Sequence, residues 1–425
     1  MSQKDTFSEH RKSRREFLKV IGAGGIATST GIAGCLGGGG GDGDGGGGQT
    51  YTIGSAVSLS GDLSPYGTRH ERGMNMALER INQVGLKNGG KLEVILEDTG
   101  SAEQTGVSAA QKLVNQNGVP LLIGAVSSGV TMAIAQSVTI PNKVLHISPH
   151  STSPKITGLD DDKYVLRAAP SDAFQGAAMA KLALEQGVKS ASVIMINNDY
   201  GRGFADVLQQ KFEEGGGKVL KKVPYSSGQA SYKSQLNSAM EGDPGALMFI
   251  AYPQSFTTMA KQAFEMGIKD QVKYIGAEST LADQIKNNVP AKALEGMVGT
   301  TPTAPTESDS WKNFVSNFES KHGERPTVWS AYSFDATMLA ALAIEAADSF
   351  DSKSLRDAIY PLSRPEGTKV SSFEEAKSEL QAGNQINYEG VSGSVDLNEA
   401  GDVPGVYRWW KFTNGDYQMQ GFLDV

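Results

Sequence analysis

Residues 119–135 read VPLLIGAVSSGVTMAIA. The opening run, VPLLIGAV, is continuous and apolar, with the length of one strand. Such a run suits a strand buried on both faces, as in a parallel sheet covered by helices. Ser127, Ser128 and Gly129 then break it and feed a second segment that reads as a helix. The unit is thus strand, hydroxyl-rich turn, helix, and the flanking sequence repeats it. On the N-terminal side lie YTIGSAVSL (51–59), a helix over Gly73–Ile81, KLEVILED (91–98) as a strand, and AAQKLV (109–114) on a helix. Strands alternating with helices predict a doubly wound α/β sheet.

A second set of the same kind starts near residue 171. AAMAKLALEQG (177–187) reads as a helix ending at Gly187, SASVIMIN (190–197) as a strand, and FADVLQQKFEEGG (204–216) as a helix. KVLKKVPY, GALMFIAY, TTMAKQAFEMG and VKYIGAES continue the alternation to residue 279. The turn-rich GTTPTAPTESDS (299–310) predicts a crossing between lobes. WKNFVSNFESKHG and SAYSFDATMLAALAIEAA read as helices, and the tail from 392 as short strands separated by turns. The length beyond residue 50 exceeds what one core usually supports, so two lobes are expected.

The first residues stand apart. SRREFLK (13–19) places Arg14 and Arg15 ahead of a short, glycine-containing apolar run. That run is shorter than the roughly 20 apolar residues of a membrane-spanning helix. It reads as a targeting segment and resembles a twin-arginine export signal. IAGC (32–35) ends in Cys35, the single cysteine of the chain, and resembles a lipobox. The segment at 37–48, all glycine except two aspartates, predicts a flexible spacer. The expectation is a signal segment over 1–35, a linker over 36–49, and an exported body lipid-anchored to the outer face of the cytoplasmic membrane. A lone cysteine excludes a disulfide framework.

Composition narrows the function. The formal net charge of −8 disfavours nucleic acid. The histidines at 10, 70, 146, 150 and 322 contain no i,i+4 pair and show no zinc-ligand spacing, so no metal is expected. His146, inside an apolar run, reads as a packed residue. YGRG (200–203) is half of a glycine fingerprint, and no G-x-S-x-G surrounds Ser127–Ser128. No enzyme and no cofactor is expected. Ligands of open α/β sheets bind beyond the C-terminal strand ends. Here these are loops 58–67, 98–101, 126–130, 148–154, 197–203, 251–256 and 277–280. AVSSGV and SPHSTSP offer hydroxyls and N–H groups that suit a carboxylate. Glu278, in YIGAES, offers an acid for an ammonium group. Each of these also reads as an ordinary capping or solvated loop. Together they describe a zwitterion held between two lobes.

From about Tyr51 onward the chain resembles the branched-chain amino acid type of substrate-binding protein that serves ATP-driven importers. The likeness is carried in order by IGSAVSLSGDLSPYG, VPLLIGAVSSGVTMAIA, PNKVLHISPHSTSPKIT, YVLRAAPSDAFQGAAMA, NNDYGRGFADVL, AYPQSFTTMAKQAFEMGI, GAES and GSVDLNEAGD. It implies a type I periplasmic-binding-protein fold, two lobes joined by three crossovers. Lobe one takes 50–170 and 301–382, and lobe two takes 171–300 and 383–425. It implies that Ser128 contacts the ligand carboxylate, Thr152 both ends of the zwitterion, Tyr200 and Tyr252 face the ligand, and Glu278 pairs with the ammonium. His150 stands where the family has a small residue and bears on the side-chain pocket, and Tyr66 lies in the first ligand loop. The implied role is the solute-binding subunit of an importer, taking a branched-chain or other apolar amino acid as a monomer that docks on a membrane permease. An amide- or urea-binding subunit and a ligand-sensing receptor domain are the alternatives.

Overall fold

A computed structural model describes residues 48–424. Arg14, Arg15, Cys35 and nearly all of the glycine-rich linker lie outside the described residues. The first lobe opens with β1 (Thr50–Val57), α1 (Ser64–Val84), β2 (Lys91–Asp98), α2 (Glu103–Gln111), β3 (Leu121–Gly124), α3 (Ser128–Ile134), β4 (Leu145–Ser148) and β5 (Val165–Arg167). Its five strands are parallel in the order β2-β1-β3-β4-β5. β3 is buried at every position, which is why its sequence is an unbroken apolar run; β4 is buried throughout too, with its His146 and Ser148 bonded to the Gly124 and Ala125 carbonyls.

The second lobe follows as α4 (Asp172–Glu185), β6 (Ser190–Ile196), α5 (Asp199–Glu214), β7 (Lys218–Tyr225), α6 (Lys233–Met240), β8 (Ala246–Ile250), α7 (Pro253–Glu265), β9 (Lys273–Gly276), α8 (Asp283–Asn288), α9 (Ala291–Leu294) and β10 (Val298–Pro302). Local chemistry starts its site-bearing helices. The Ser171 side chain caps α4 by accepting from Ala173 N, Asn198 caps α5 by accepting from Gly201 N, and Pro253 follows Tyr252 into the first turn of α7.

The chain then returns to the first lobe through α10 (Asp309–His322), α11 (Val328–Ala346), α12 (Ser352–Ile359), β11 (Thr368–Val370) and α13 (Phe373–Gln381). α11 is apolar on nearly every side and buried along most of its length, as a central core helix should be. It lies hard against α1: a Cβ on Gly73 would sit 2.1 Å from the Ser330 carbonyl oxygen, so only glycine permits the approach. β12 (Ile386–Gly390), β13 (Gly393–Ser394), β14 (Tyr407–Thr413) and β15 (Asp416–Leu423) complete the chain. β14 and β15 close the second sheet, whose order is β15-β14-β10-β9-β8-β6-β7.

Two boundaries differ from the sequence expectation. Gly299–Pro302, placed in a crossing by their turn-rich composition, form most of β10. The segment from 383, expected in the second lobe, stays with the first. β12 pairs in parallel with β11, and Ile386, Tyr388, Val391, Val395, Leu397 and Val403 belong to the first core. The Asp335 carboxylate on α11 explains this: it accepts from Tyr388 Oη, Val391 N, Ser392 N and Ser392 Oγ, pinning the strand to the helix. The chain joins the second sheet only at Tyr407. The last crossing is tied down by the fully buried Arg167, which donates to Asp402 Oδ1 at 2.6 Å, to the Ser153 carbonyl at 2.9 Å and to Thr157 Oγ1 at 2.7 Å.

Candidate functional site

The strand-end loops of both lobes face a common cavity. Ser128, His150, Thr152, Tyr200, Tyr252 and Glu278 all line it, with Leu63, Tyr66, Val126, Ser127, Ser279 and Trp329. All six residues singled out from the sequence are therefore brought together. Tyr66 joins them, while His146 does not: it is packed in the first lobe, with Nε2 2.7 Å from the Gly124 carbonyl oxygen.

The first-lobe wall is a set of hydroxyls and N–H groups. Ser128 opens α3, and its Oγ accepts from Thr152 N and Ser153 N, both at 3.2 Å. A serine oxygen has two lone pairs and one proton. Both lone pairs are used, so the proton is left to donate to an acceptor in the cavity. Thr152 Oγ1 does the reverse. It donates its proton to Asp172 Oδ2 at 2.7 Å and keeps its lone pairs to accept.

The second-lobe wall is acidic. Glu278 Oε1 accepts from Tyr200 Oη at 2.8 Å, and Oε2 accepts from Gln175 Nε2 at 2.7 Å. One donor per oxygen leaves each with a free lone pair. Burial pushes the Glu278 carboxyl above its ordinary range. Asp172 is pushed up further, by burial and then by the Glu278 charge, and its Oδ1 has no partner among the described residues. The Glu278 carboxylate, with a lone pair free on each oxygen, makes a seat for a cation, and Asp172 stands behind Thr152. The Tyr200 ring stacks on Tyr252 at 6.1 Å, and Tyr252 Oη accepts from Asn198 Nδ2 at 2.8 Å. Tyr252 packs against both cores, so it bridges the lobes.

Outside the cavity the lobes also touch. Ser153 Oγ donates to the Asp199 carbonyl at 2.9 Å, and Lys155 Nζ meets Asp199 Oδ1 at 2.7 Å. A Cβ on Gly203 of α5 would lie 3.0 Å from both Ser153 Oγ and Pro154 Cδ. These contacts describe lobes drawn together over the cavity.

Sequence reasoning missed Asp172, Gln175 and Trp329. The first two sit in the opening turn of α4, where Ser-Asp reads as a helix start, and Trp329 lies on an apolar helix far along the chain. Among the described residues, no group of three or more His, Cys, Asp or Glu side chains could hold a metal ion.

A sequence model of the family described as periplasmic binding protein matches residues 50–387. The chain belongs to this family. Its members are non-catalytic solute-binding proteins, and the fold is the type I form with two doubly wound lobes. The chain is 28% identical to the chemotactic signal transduction system substrate-binding protein BasB of Halobacterium salinarum, over 83% of this chain and 84% of that one. It is 25% identical to the leucine-, isoleucine-, valine-, threonine- and alanine-binding protein of Pseudomonas aeruginosa, over 85% and 91%. Among solved structures it resembles the leucine-binding protein LivK of Thermotoga maritima, with a TM-score of 0.76 and 27% identity over 88% of this chain and 99% of that one.

Proposed function

We propose that this protein is the extracytoplasmic solute-binding subunit of an ABC importer and binds a small amino acid by lobe closure. The observation that carries the reading is the opposition of a donor wall to an acceptor wall. The Ser128 proton and the start of α3 suit a carboxylate, while Glu278 and the Thr152 lone pairs suit an ammonium group. Tyr66, Val126 and Trp329 supply an apolar end for the side chain. The similarity to leucine-binding and to leucine-, isoleucine- and valine-binding relatives supports a branched-chain or comparably small ligand. Closure removes water and strengthens the charged contacts, and the closed form is what a permease would recognise. Arg14–Arg15 and Cys35 support export by a twin-arginine route and lipid anchoring through Cys35, with the glycine-rich segment as spacer.

The test is thermal unfolding of the protein with each common amino acid, and with urea, acetamide and benzoate. A ligand that binds only the folded state raises the midpoint, by about 2.7 kcal/mol of stability at a hundredfold excess over Kd. A shift with one or a few small or branched amino acids is expected. A shift confined to the amides or to benzoate would sink the amino-acid reading. A second reading, delivery of the ligand to a chemotactic receptor, is favoured by the similarity to BasB. Deleting the gene separates the two: lost uptake of the labelled ligand marks the importer, lost migration with intact uptake the receptor.

A further inference from the structure

Two residues of α4, one turn apart, stand behind the acceptor side of the cavity without lining it. Gln175 donates to Glu278 Oε2 at 2.7 Å, and its Nε2 also lies 3.3 Å from the Thr300 carbonyl oxygen. Asp172, at the start of the helix, reaches across the first crossing to Thr152 of the other lobe. Its N–H donates to the Thr152 carbonyl at 2.7 Å, and its Oδ2 accepts from Thr152 Oγ1 at 2.7 Å. The Thr152 N–H is given to Ser128 Oγ. Thr152 is thus held at its N–H, its carbonyl and its hydroxyl. One helical turn carries groups that hold both Thr152 and Glu278, which come from different lobes.

Asp172 is not arranged as a structural anchor. Asp335 is equally buried, and both of its oxygens accept, with four bonds between them. At Asp172 only Oδ2 has a partner, and Oδ1 has none among the described residues. Arg167, whose charge acts on Asp172, donates instead to Asp402, Ser153 and Thr157. An acid desolvated for one side-chain hydrogen bond costs the fold more than that bond contributes, so its reason lies in what the bond does.

What the bond does is fix a proton. A threonine hydroxyl on a free rotor can donate or accept. An ammonium group brings donors only. With its proton held by Asp172, Thr152 presents lone pairs to the cavity it lines. A proton on Asp172 Oδ2 would reverse this: it would be donated to Thr152, turn the threonine proton to the cavity and set donor against donor. An arriving cation favours the ionised acid, and with it the accepting threonine.

We propose that Asp172 is a positioning residue of the ligand site: it holds the Thr152 hydroxyl as an acceptor and so sets the preference for an ammonium-bearing ligand. The proposal rests on the amino-acid reading above.

The test is a double-mutant cycle read by titration calorimetry. The probe is the one of the twenty common amino acids that most raises the unfolding midpoint of the wild type. Asp172→Asn keeps the shape but can present an N–H to Thr152, and Thr152→Val removes the hydroxyl. Each single substitution should weaken binding at least about tenfold, the scale of a hydrogen bond to a charged group. Because Asp172 acts through the hydroxyl, the losses should not multiply. In the Thr152→Val background, Asp172→Asn should change Kd by less than about threefold. In Thr152→Ser, which restores a hydroxyl, the full loss on Asp172→Asn should return. A loss of the same size in Thr152→Val overturns the proposal, since Asp172 would then act by its charge or through the fold. Unchanged affinity in Asp172→Asn overturns it too. If Asp172→Asn does not fold, a neutron structure of the liganded wild type decides: a Thr152 deuteron directed at Asp172 supports the proposal, and one directed at the ligand overturns it. These outcomes leave the amino-acid reading standing. If no amino acid shifts the midpoint of the wild type, both fall.

Discussion

Glu278 is the side chain on which an amino-acid ligand depends most. Tyr200 and Gln175 hold both of its oxygens, and burial raises its pKa. Only its ionised form pairs with an ammonium group. In Glu278→Gln that pairing is lost and the ligand cation is left without its counter-charge. The expected cost is about 2–5 kcal/mol, or roughly 30-fold and upward in Kd, with the fold intact. Calorimetry reads the loss, and unchanged affinity would remove Glu278 from the site. The sign of the pH dependence follows from the same shift. Acidification protonates Glu278 in the free protein, and binding must then expel that proton. Affinity therefore falls as the pH drops through the raised pKa and is flat above it. The six side chains expected from the sequence were legible because parallel α/β strands end at one edge, so loops far apart in the chain must converge there. Asp172 and Gln175, which back Thr152 and Glu278, were not, because the first turn of a helix looks alike whether it faces solvent or supports a site. The setting of His150 was not legible either: its Nε2 lies 2.9 Å from both the Trp329 carbonyl oxygen and Ser333 Oγ, which the core packing of α11 brings to it.

At the level of elements, the join between α11 and β12 fixes where the second crossing back begins. Asp335 is fully buried and accepts from three residues of the β12 segment, and burial still pushes its pKa up to about 6. Asp335→Ala strands the Val391 and Ser392 N–H groups and the Tyr388 hydroxyl. A loss of about 2–4 kcal/mol is expected from denaturant unfolding. The folded pKa lies above the unfolded value of about 3.9, so ionising this group costs the native state stability as the pH rises through about 6. The wild type thus gains more from Asp335 at pH 4 than at pH 7, and the difference from Asp335→Ala should be larger at pH 4. A difference independent of pH would mean that the carboxylate is ionised throughout. This join is also where the sequence misled. INYEG alternates like a strand of either sheet, and nothing local tells it which core will take Ile386 and Tyr388. The partner, β11, is only three residues long and offers little signal of its own. The α/β alternation of the two main sheets was legible because strands such as β6 (SASVIMI) and β8 (ALMFI) sit in apolar runs that announce their burial.

Across the whole molecule, two sheets share three crossings, and the contact between lobes is narrow. It consists of the walls of the cavity, the Lys155–Asp199 pair and the close approach at Gly203. The ion pair is partly exposed and contributes little by itself. Gly203 is different, because it sets how far the lobes can close. It lies in α5 without lining the cavity, so a side chain there touches no ligand but meets Pro154 and Ser153 of the other lobe. Gly203→Leu should prop the lobes apart while leaving each core unchanged. The binding-competent closed state then becomes rarer, and apparent affinity falls in proportion to its population. A drop of at least about tenfold is expected, equal for every ligand the wild type binds, with little change in the unfolding midpoint of the free protein. Small-angle scattering supplies the second reading. Ligand should contract the wild type and fail to contract Gly203→Leu at concentrations that saturate the wild type. Normal affinity together with normal contraction would show that this face of α5 has room to spare, and that closure is limited by the cavity walls alone.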